Sequence, residues 1–198
     1  MEQLYSLAVE IMIIPVDDEL ALHPVSVADC EELRAAIDRN RDRLREWLPW
    51  AGANFEQETL RAHLRDCQRE NAERTSLTTH ILHGGQLCGA IGLHKIDVRH
   101  RNTSIGYWLD RAFEGRGIMT RACRAIITEG FQHYNLHRIE IRCGTGNIRS
   151  AGIPRRLGFI EEGLLHEAEW VFDRWIDLRV FAMLEQDWPG AGSPLFLA

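Results

Sequence analysis

The chain has 198 residues, 45% hydrophobic and 26% charged, with a formal net charge of −6. That length suits a single domain with a sizeable core, and the acidic balance argues against a broad nucleic-acid-binding face. No apolar run approaches the ~18 residues that cross a bilayer. Met1-Glu2-Gln3 lacks the basic start of a signal peptide, so a cytoplasmic protein away from the membrane is expected.

In chain order, residues 1–18 read as a loosely attached lead-in and Leu20 to Val25 as a first strand. Ser26 or Asp29 is placed to cap a helix, and Cys30, Leu33, Ile37, Leu44 and Leu48 recur on one face of it. That helix should stop before Pro49. Trp47 and Trp50 then stand at a turn, where large rings serve either as core or as the wall of a substrate pocket. A second helix is predicted from Glu56 to about Ala72, with Leu60, Leu64 and Cys67 inward.

The period then changes. Leu77 to Leu82 reads as a strand, Gly84-Gly85 as a hairpin turn, Gln86 to Ile96 as its partner and 102–109 as a third strand. Arg138 to Cys143 alternates as a half-buried strand. A polar loop, 144–150, leads with Ser150 as a plausible cap into a short helix that ends at Gly158. Pro154 is awkward inside that helix. Late strands are predicted at Phe159–Leu165, Glu169–Phe172 and Trp175–Leu184, with a turn at Asp173-Arg174. The tail beyond Asp187 either moves freely or docks on a neighbour.

The five cysteines (Cys30, Cys67, Cys88, Cys123, Cys143) are scattered and make no CxxC pair, which fits buried thiols in a reducing compartment. His80 and His83 lie three apart on a predicted strand and so point to opposite faces; no metal site is expected.

The densest chemical signal is Phe113-Glu114-Gly115-Arg116-Gly117-Ile118-Met119-Thr120. A predicted strand runs into it, and an amphipathic helix leaves it with Met119, Ala122, Cys123, Ile126, Ile127, Phe131 and Tyr134 on one face. Two glycines at a helix start allow close backbone approach, and the first helical N–H groups have no internal partner. Arg111, Arg116, Arg121 and Arg124 make the spot basic, although Arg121 and Arg124 also fit a solvated helix face. Together these features predict a site for a small polyanion, most naturally a phosphate.

The order of elements, with Ile105-Gly106-Tyr107-Trp108-Leu109, Gly115-Arg116-Gly117-Ile118-Met119-Thr120, Arg138-Ile139-Glu140-Ile141-Arg142-Cys143, Asn147-Ile148-Arg149-Ser150, Leu157-Gly158-Phe159, Glu162-Gly163 and Glu167-Ala168-Glu169, resembles the GNAT superfamily of acyl-CoA-dependent N-acetyltransferases. Arg45-Glu46-Trp47-Leu48-Pro49-Trp50 is similar to the RimJ/RimL branch, which acetylates protein N-termini, including those of ribosomal proteins. The resemblance covers nearly the whole chain. It implies an α/β (α+β) fold: a mixed, mostly antiparallel sheet of about six to seven strands, flanked by helices and splayed in the middle for acyl-CoA. It also implies acetyl-CoA as co-substrate, no metal, and a protein N-terminus or small amine as acceptor. Members of the branch often form dimers, so a homodimer is an open expectation. Glu114 and Met119 depart from the family's phosphate-loop pattern. The departure is tolerable because the backbone from about Arg116 to Thr120 would bind the phosphates, with the Glu114 side chain turned away. The cofactor contacts expected are Trp108, Leu109, Arg111, Gly115, Arg116, Gly117, Ile118, Met119, Thr120 and Asn147, with Trp47 and Trp50 on the acceptor side.

Acyl transfer to an amine needs a base for the amine, stabilisation of the oxyanion and a proton for the departing thiolate. The tyrosine that many of these enzymes carry on the short helix falls at Pro154 here. The resemblance gives the acid role to Ser150 instead, with helix capping as its plainer alternative. It gives the base role to Glu169, with Glu167 as rival on the same strand face and a surface salt bridge as the bland reading of either. Deprotonation at pH 7 costs about 1.4 kcal/mol for an α-amine and about 4.6 kcal/mol for lysine. A single carboxylate suits the α-amine. Small amines, longer acyl groups and a non-catalytic acyl-CoA-binding module are the competing readings.

Overall fold

The computed structural model describes residues 13–52 and 56–189. Strands β1 (Ile14–Pro15) and β2 (Leu20–Pro24) precede helices α1 (Cys30–Asp38), α2 (Arg41–Leu44) and α3 (Gln57–Glu73). Strands β3 (Leu77–His83), β4 (Gln86–Asp97) and β5 (Asn102–Leu109) form a meander. Then come α4 (Ile118–His133), β6 (Arg138–Gly144), α5 (Ile148–Arg156), β7 (Ile160–Val171) and β8 (Arg174–Leu184). All eight strands lie in one sheet, ordered β1-β2-β3-β4-β5-β6-β8-β7, one or two more than expected. Every neighbouring pair is antiparallel except β5 and β6.

Two cores sit on opposite faces of this sheet. Met119, Ala122, Cys123, Ile126, Ile127 and Phe131 of α4 pack with Ile91, Leu93, Ile105, Ile139 and Phe181 on one face. Leu33 and Ile37 of α1, Leu44 of α2 and Leu60, Leu64 and Cys67 of α3 pack with Leu87 and Trp108 on the other. The apolar stripes read from the sequence are therefore the buried ones, because a helix on a sheet must turn its apolar side inward. All five cysteines are buried and free. No helix among the described residues is long and apolar enough to cross a membrane.

Several elements differ from the sequence reading. The first predicted helix is broken. Ser26 caps a short 3-10 turn, accepting from the Ala28 N–H at 3.2 Å, while Asp29 accepts from the Ser26 N–H. The break at Arg39-Asn40 follows from the buried Asn40, whose amide donates to the Ala36 carbonyl at 2.8 Å and accepts from the Arg111 N–H at 3.0 Å. A side chain that bonds backbone competes with helix propagation. Of the expected lead-in, Ile14 and Pro15 pair with β2, and residues 1–12 lie outside the described ones. Of the tail, Trp188 docks: its indole N–H donates to Thr128 at 3.0 Å beside Phe131, while 190–198 lie outside the described residues. The two late strands predicted at 159–165 and 169–172 are one strand, β7, interrupted by register irregularities at Glu161/Gly163 and Leu165/Glu169. Its turn falls at Phe172-Asp173, one residue early.

Asn71 shows how α3 is tied to the sheet. Its amide donates to the Thr78 carbonyl at 2.8 Å and accepts from the Thr78 N–H at 2.7 Å, and the residue is buried. Asn71→Ala strips partners from two backbone groups. Each unmade buried bond costs about 1–3 kcal/mol, so a denaturant melt should show a loss of roughly 2–4 kcal/mol.

Candidate active site

The parallel pairing of β5 with β6 runs only from Asn102↔Arg138 to Ile105↔Ile141. Beyond it, β5 stays with β4 as far as Leu109↔Gly89, while β6 stays with β8 as far as Gly144↔Leu178. The two strands thus part company. The facing edges of 106–109 and 142–144 are left without a ladder, which is the splay that the resemblance implies.

At the end of β5 the glycine turn opens onto α4. Gly115 and Gly117 both adopt left-handed backbone, at φ 77° and 70°. Side-chain-bearing residues resist that region, and Gly117 is the residue immediately before the helix. Ile118 and Met119 are buried, so their side chains serve the core while their N–H groups face the helix mouth. A Cβ placed on Gly115 would meet nothing within 4 Å, so the turn is open to a ligand. Thr120 stands in the first turn, its hydroxyl 3.2 Å from the Arg156 guanidinium. The Glu114 carboxylate is held between two guanidinium groups, that of Arg149 and, at 2.9 Å, that of Arg43.

The basic cluster is partly absorbed by the protein. Arg121 pairs with Asp17 at 2.8 Å, and Arg124 lies over the Trp188 ring. Arg116 lies over Phe113 and donates to the Ala112 carbonyl, while Arg111 is exposed. Arg43 went unnoticed in the sequence. From α2 it reaches the Leu109 carbonyl at 2.5 Å and Asn40 at 3.2 Å as well as Glu114, so one side chain joins the end of the splayed strand to the phosphate-type turn. No local pattern marks it, because its partners lie far along the chain.

Across the splay, the cap of α5 is Asn147 rather than Ser150. Its side-chain oxygen accepts from the Ser150 N–H at 3.1 Å. Ser150 is the third helical residue, and its hydroxyl lies 3.2 Å from the Tyr107 hydroxyl. The reason is local: the loop enters the helix at Ile148, so the residue before it takes the cap. Tyr107, noted only as part of a motif, is the residue that the sequence reading missed here.

The two tryptophans of the 45–50 segment flank the opening. Trp47 presses on its β6 side, where a Cβ on Gly144 or on Gly146 would stand 2.9 Å from the ring. Trp50 meets Trp108 edge-on at 6.5 Å on the β5 side. Trp108 itself is buried in the core beneath α1 and α3, so only its backbone and that of Leu109 border the splay. Beside them lies a cavity of about 330 Å³, walled by Leu33, Ile37, Leu60, Trp50 and Trp108 and floored by Gly106.

Glu169 is half-buried on β7, opposite Ile176 and on the face carrying the buried Val171 and Leu178. Ile176 reaches the end of β6, 3.3 Å from a Cβ placed on Gly144, so this face adjoins the splay mouth. Burial pushes the Glu169 carboxyl above its ordinary pKa. Glu167 does not share that face. The register irregularity between Leu165 and Glu169 breaks the alternation. Glu167 is exposed there, with φ 45° and its N–H donated to Asp177 at 2.8 Å.

His80 and His83 point apart as expected: His80 bonds Asp29 at 2.9 Å under α1, while His83 stacks edge-on with Phe113 on the opposite face. No cluster of metal-ligating side chains occurs among the described residues.

Known proteins match this geometry. A family model described as an acetyltransferase (GNAT) domain matches residues 19–160. The putative ribosomal N-acetyltransferase YdaF of Bacillus subtilis is 35% identical over 176 residues, 88% of this chain and 96% of that protein. The ribosomal-protein-serine acetyltransferase of Escherichia coli is 29% identical over 171 residues, 86% of this chain and 96% of its own. Among solved structures, the ribosomal L7/L12 alpha-N-protein acetyltransferase RimL in complex with coenzyme A superposes with a TM-score of 0.86 at 26% identity, covering 91% of this chain and 99% of that one. The chain belongs to the GNAT acetyltransferase family and, within it, to the RimJ/RimL branch.

Proposed function

We propose that this protein transfers an acetyl group from acetyl-CoA to the N-terminal α-amine of a protein, of the ribosomal-protein type, in the cytoplasm. The observation that carries the reading is the junction of the β5/β6 splay with the open glycine turn. An extended arm laid along 106–109 leads directly to the N-terminus of α4, where a diphosphate meets the N–H groups of Gly117 to Thr120. The open Cβ position at Gly115 and the Thr120 hydroxyl fit such a ligand. The names of the relatives support the α-amine as acceptor.

In this reading Glu169 draws the proton from the amine. Its raised pKa suits that task, because a base closer to neutrality holds the proton more firmly. Ser150, at the start of α5 across the splay, donates a hydrogen to the departing sulfur. The cavity beneath Trp50 and Trp108 receives the acceptor's first residues, and Trp47 walls the other side.

A thiol-release assay tests the proposal. Peptides with free N-termini should turn over at least tenfold faster, by kcat/KM, than the same peptides blocked at the N-terminus but carrying a lysine. A faster reaction with polyamines than with any N-terminal peptide would overturn the acceptor assignment. Binding of coenzyme A without transfer to any amine would overturn catalysis.

A further inference from the structure

Pro154 lies inside α5 and is buried, yet the helix continues past it to Arg156. A proline has no N–H, so the Ser150 carbonyl four residues earlier loses its helical donor. The Tyr107 hydroxyl stands 3.1 Å from that carbonyl oxygen and 3.2 Å from the Ser150 hydroxyl. A phenol has one proton to give and an oxygen that accepts. The phenol proton faces two acceptors at nearly equal distance, the carbonyl that Pro154 leaves bare and the Ser150 oxygen, and is shared between them. The Ser150 hydroxyl, anchored through its oxygen, keeps its own single proton for the departing sulfur.

We propose that Tyr107 is a positioning residue for Ser150: it replaces the helical donor lost at Pro154 and, by donating also to the Ser150 oxygen, holds the Ser150 hydroxyl at the splay with its own proton free. The inference rests on the reading of Ser150 as donor to the departing sulfur. Burial holds the Tyr107 hydroxyl well above its ordinary pKa, so it stays protonated and acts by position. The device also accounts for a proline where many relatives of this superfamily carry a tyrosine. The phenol reaches the same neighbourhood from β5 instead of from the short helix.

Four variants test it: Ser150→Ala, Tyr107→Phe, the double variant, and Tyr107→Phe with Pro154→Ala. Each is assayed with acetyl-CoA and an N-terminal peptide and melted thermally. Ser150→Ala should lower kcat roughly 10²-fold, the scale of a positioned proton donor. Tyr107→Phe should lower kcat about tenfold, with both KM values within about twofold. The double variant should match Ser150→Ala alone, since Tyr107 acts through Ser150. Pro154→Ala returns a helix N–H to the Ser150 carbonyl, so it should restore the melting temperature of Tyr107→Phe without restoring kcat. Recovery of kcat together with the melting temperature, or multiplied losses in the double variant, would overturn the proposal. Wild-type kcat in Ser150→Ala would sink the Ser150 reading itself and this inference with it, and needs no Tyr107 variant to be seen.

Discussion

Glu169→Gln is expected to lower kcat by roughly 10²–10³-fold, within the range for a positioned general base, with the dissociation constant for coenzyme A unchanged. The variant keeps the side-chain volume and removes only the capacity to take a proton. The same substitution should leave the melting temperature at neutral pH equal or higher. The sign follows from linkage. Burial raises the pKa of Glu169 in the folded protein, so the native state prefers the protonated form. That preference contributes stability below the unfolded pKa and is lost as pH rises through the folded value. Above the folded value the native state must hold a partly desolvated carboxylate, and glutamine removes that cost. A loss of activity without a loss of stability separates a working carboxylate from a structural one. The acidic limb of kcat/KM against pH should lie above the ordinary carboxylate range and vanish in the variant. Unimpaired turnover in Glu169→Gln would remove it from the base role.

The second large effect is at Gly117. Valine there must adopt φ 70°, a region that costs an L-residue roughly 1–2 kcal/mol and a β-branched one more. Relief of that strain rotates the first N–H groups of α4. Each hydrogen bond to a charged phosphate is worth about 1.5–3 kcal/mol, so losing one weakens coenzyme A binding roughly 10- to 100-fold. Calorimetry of Gly117→Val against wild type measures this. Gly84→Ala provides the control: it places a side chain at φ 58° in a hairpin turn with nothing within 4 Å, outside the 115–120 turn itself. It should cost stability and leave the binding constant alone. An unchanged constant in Gly117→Val would show that the turn does not hold the diphosphate.

These two positions were legible in the sequence for different reasons. Gly115 and Gly117 stand between a strand pattern and a helix pattern, and glycine there reports backbone geometry directly. Glu169 came only through the family's motif, and the residues alone could not rank it above Glu167. What separates the two is an irregularity in β7 that turns Glu167 out to solvent, set by pairing with β8 and by the Asp177 carboxylate that takes the Glu167 N–H. Ser150 was similarly ambiguous between cap and acid. The structure gives the cap to Asn147 and leaves the Ser150 hydroxyl with Tyr107.

The broken first helix shows the same limit. Cys30, Leu33, Ile37 and Leu44 keep an apolar spacing through Arg39-Asn40, so periodicity predicts one helix. The break depends on the Arg111 N–H, seventy-one residues away, which Asn40 meets with its side chain. Arg43 is legible only in three dimensions, since its contacts at Leu109 and Glu114 are long-range.

By itself, then, the amino-acid order determined which faces are buried, where the hairpin turns, and where a helix begins on glycine, because period and backbone freedom are properties of neighbours in sequence. The parting of β5 from β6, the half-burial of Glu169 beside an exposed Glu167 and the meeting of Tyr107 with Ser150 were decided only by the tertiary structure. Each depends on hydrogen-bond donors and acceptors that find their partners across the sheet, and no local pattern records which distant partner will arrive.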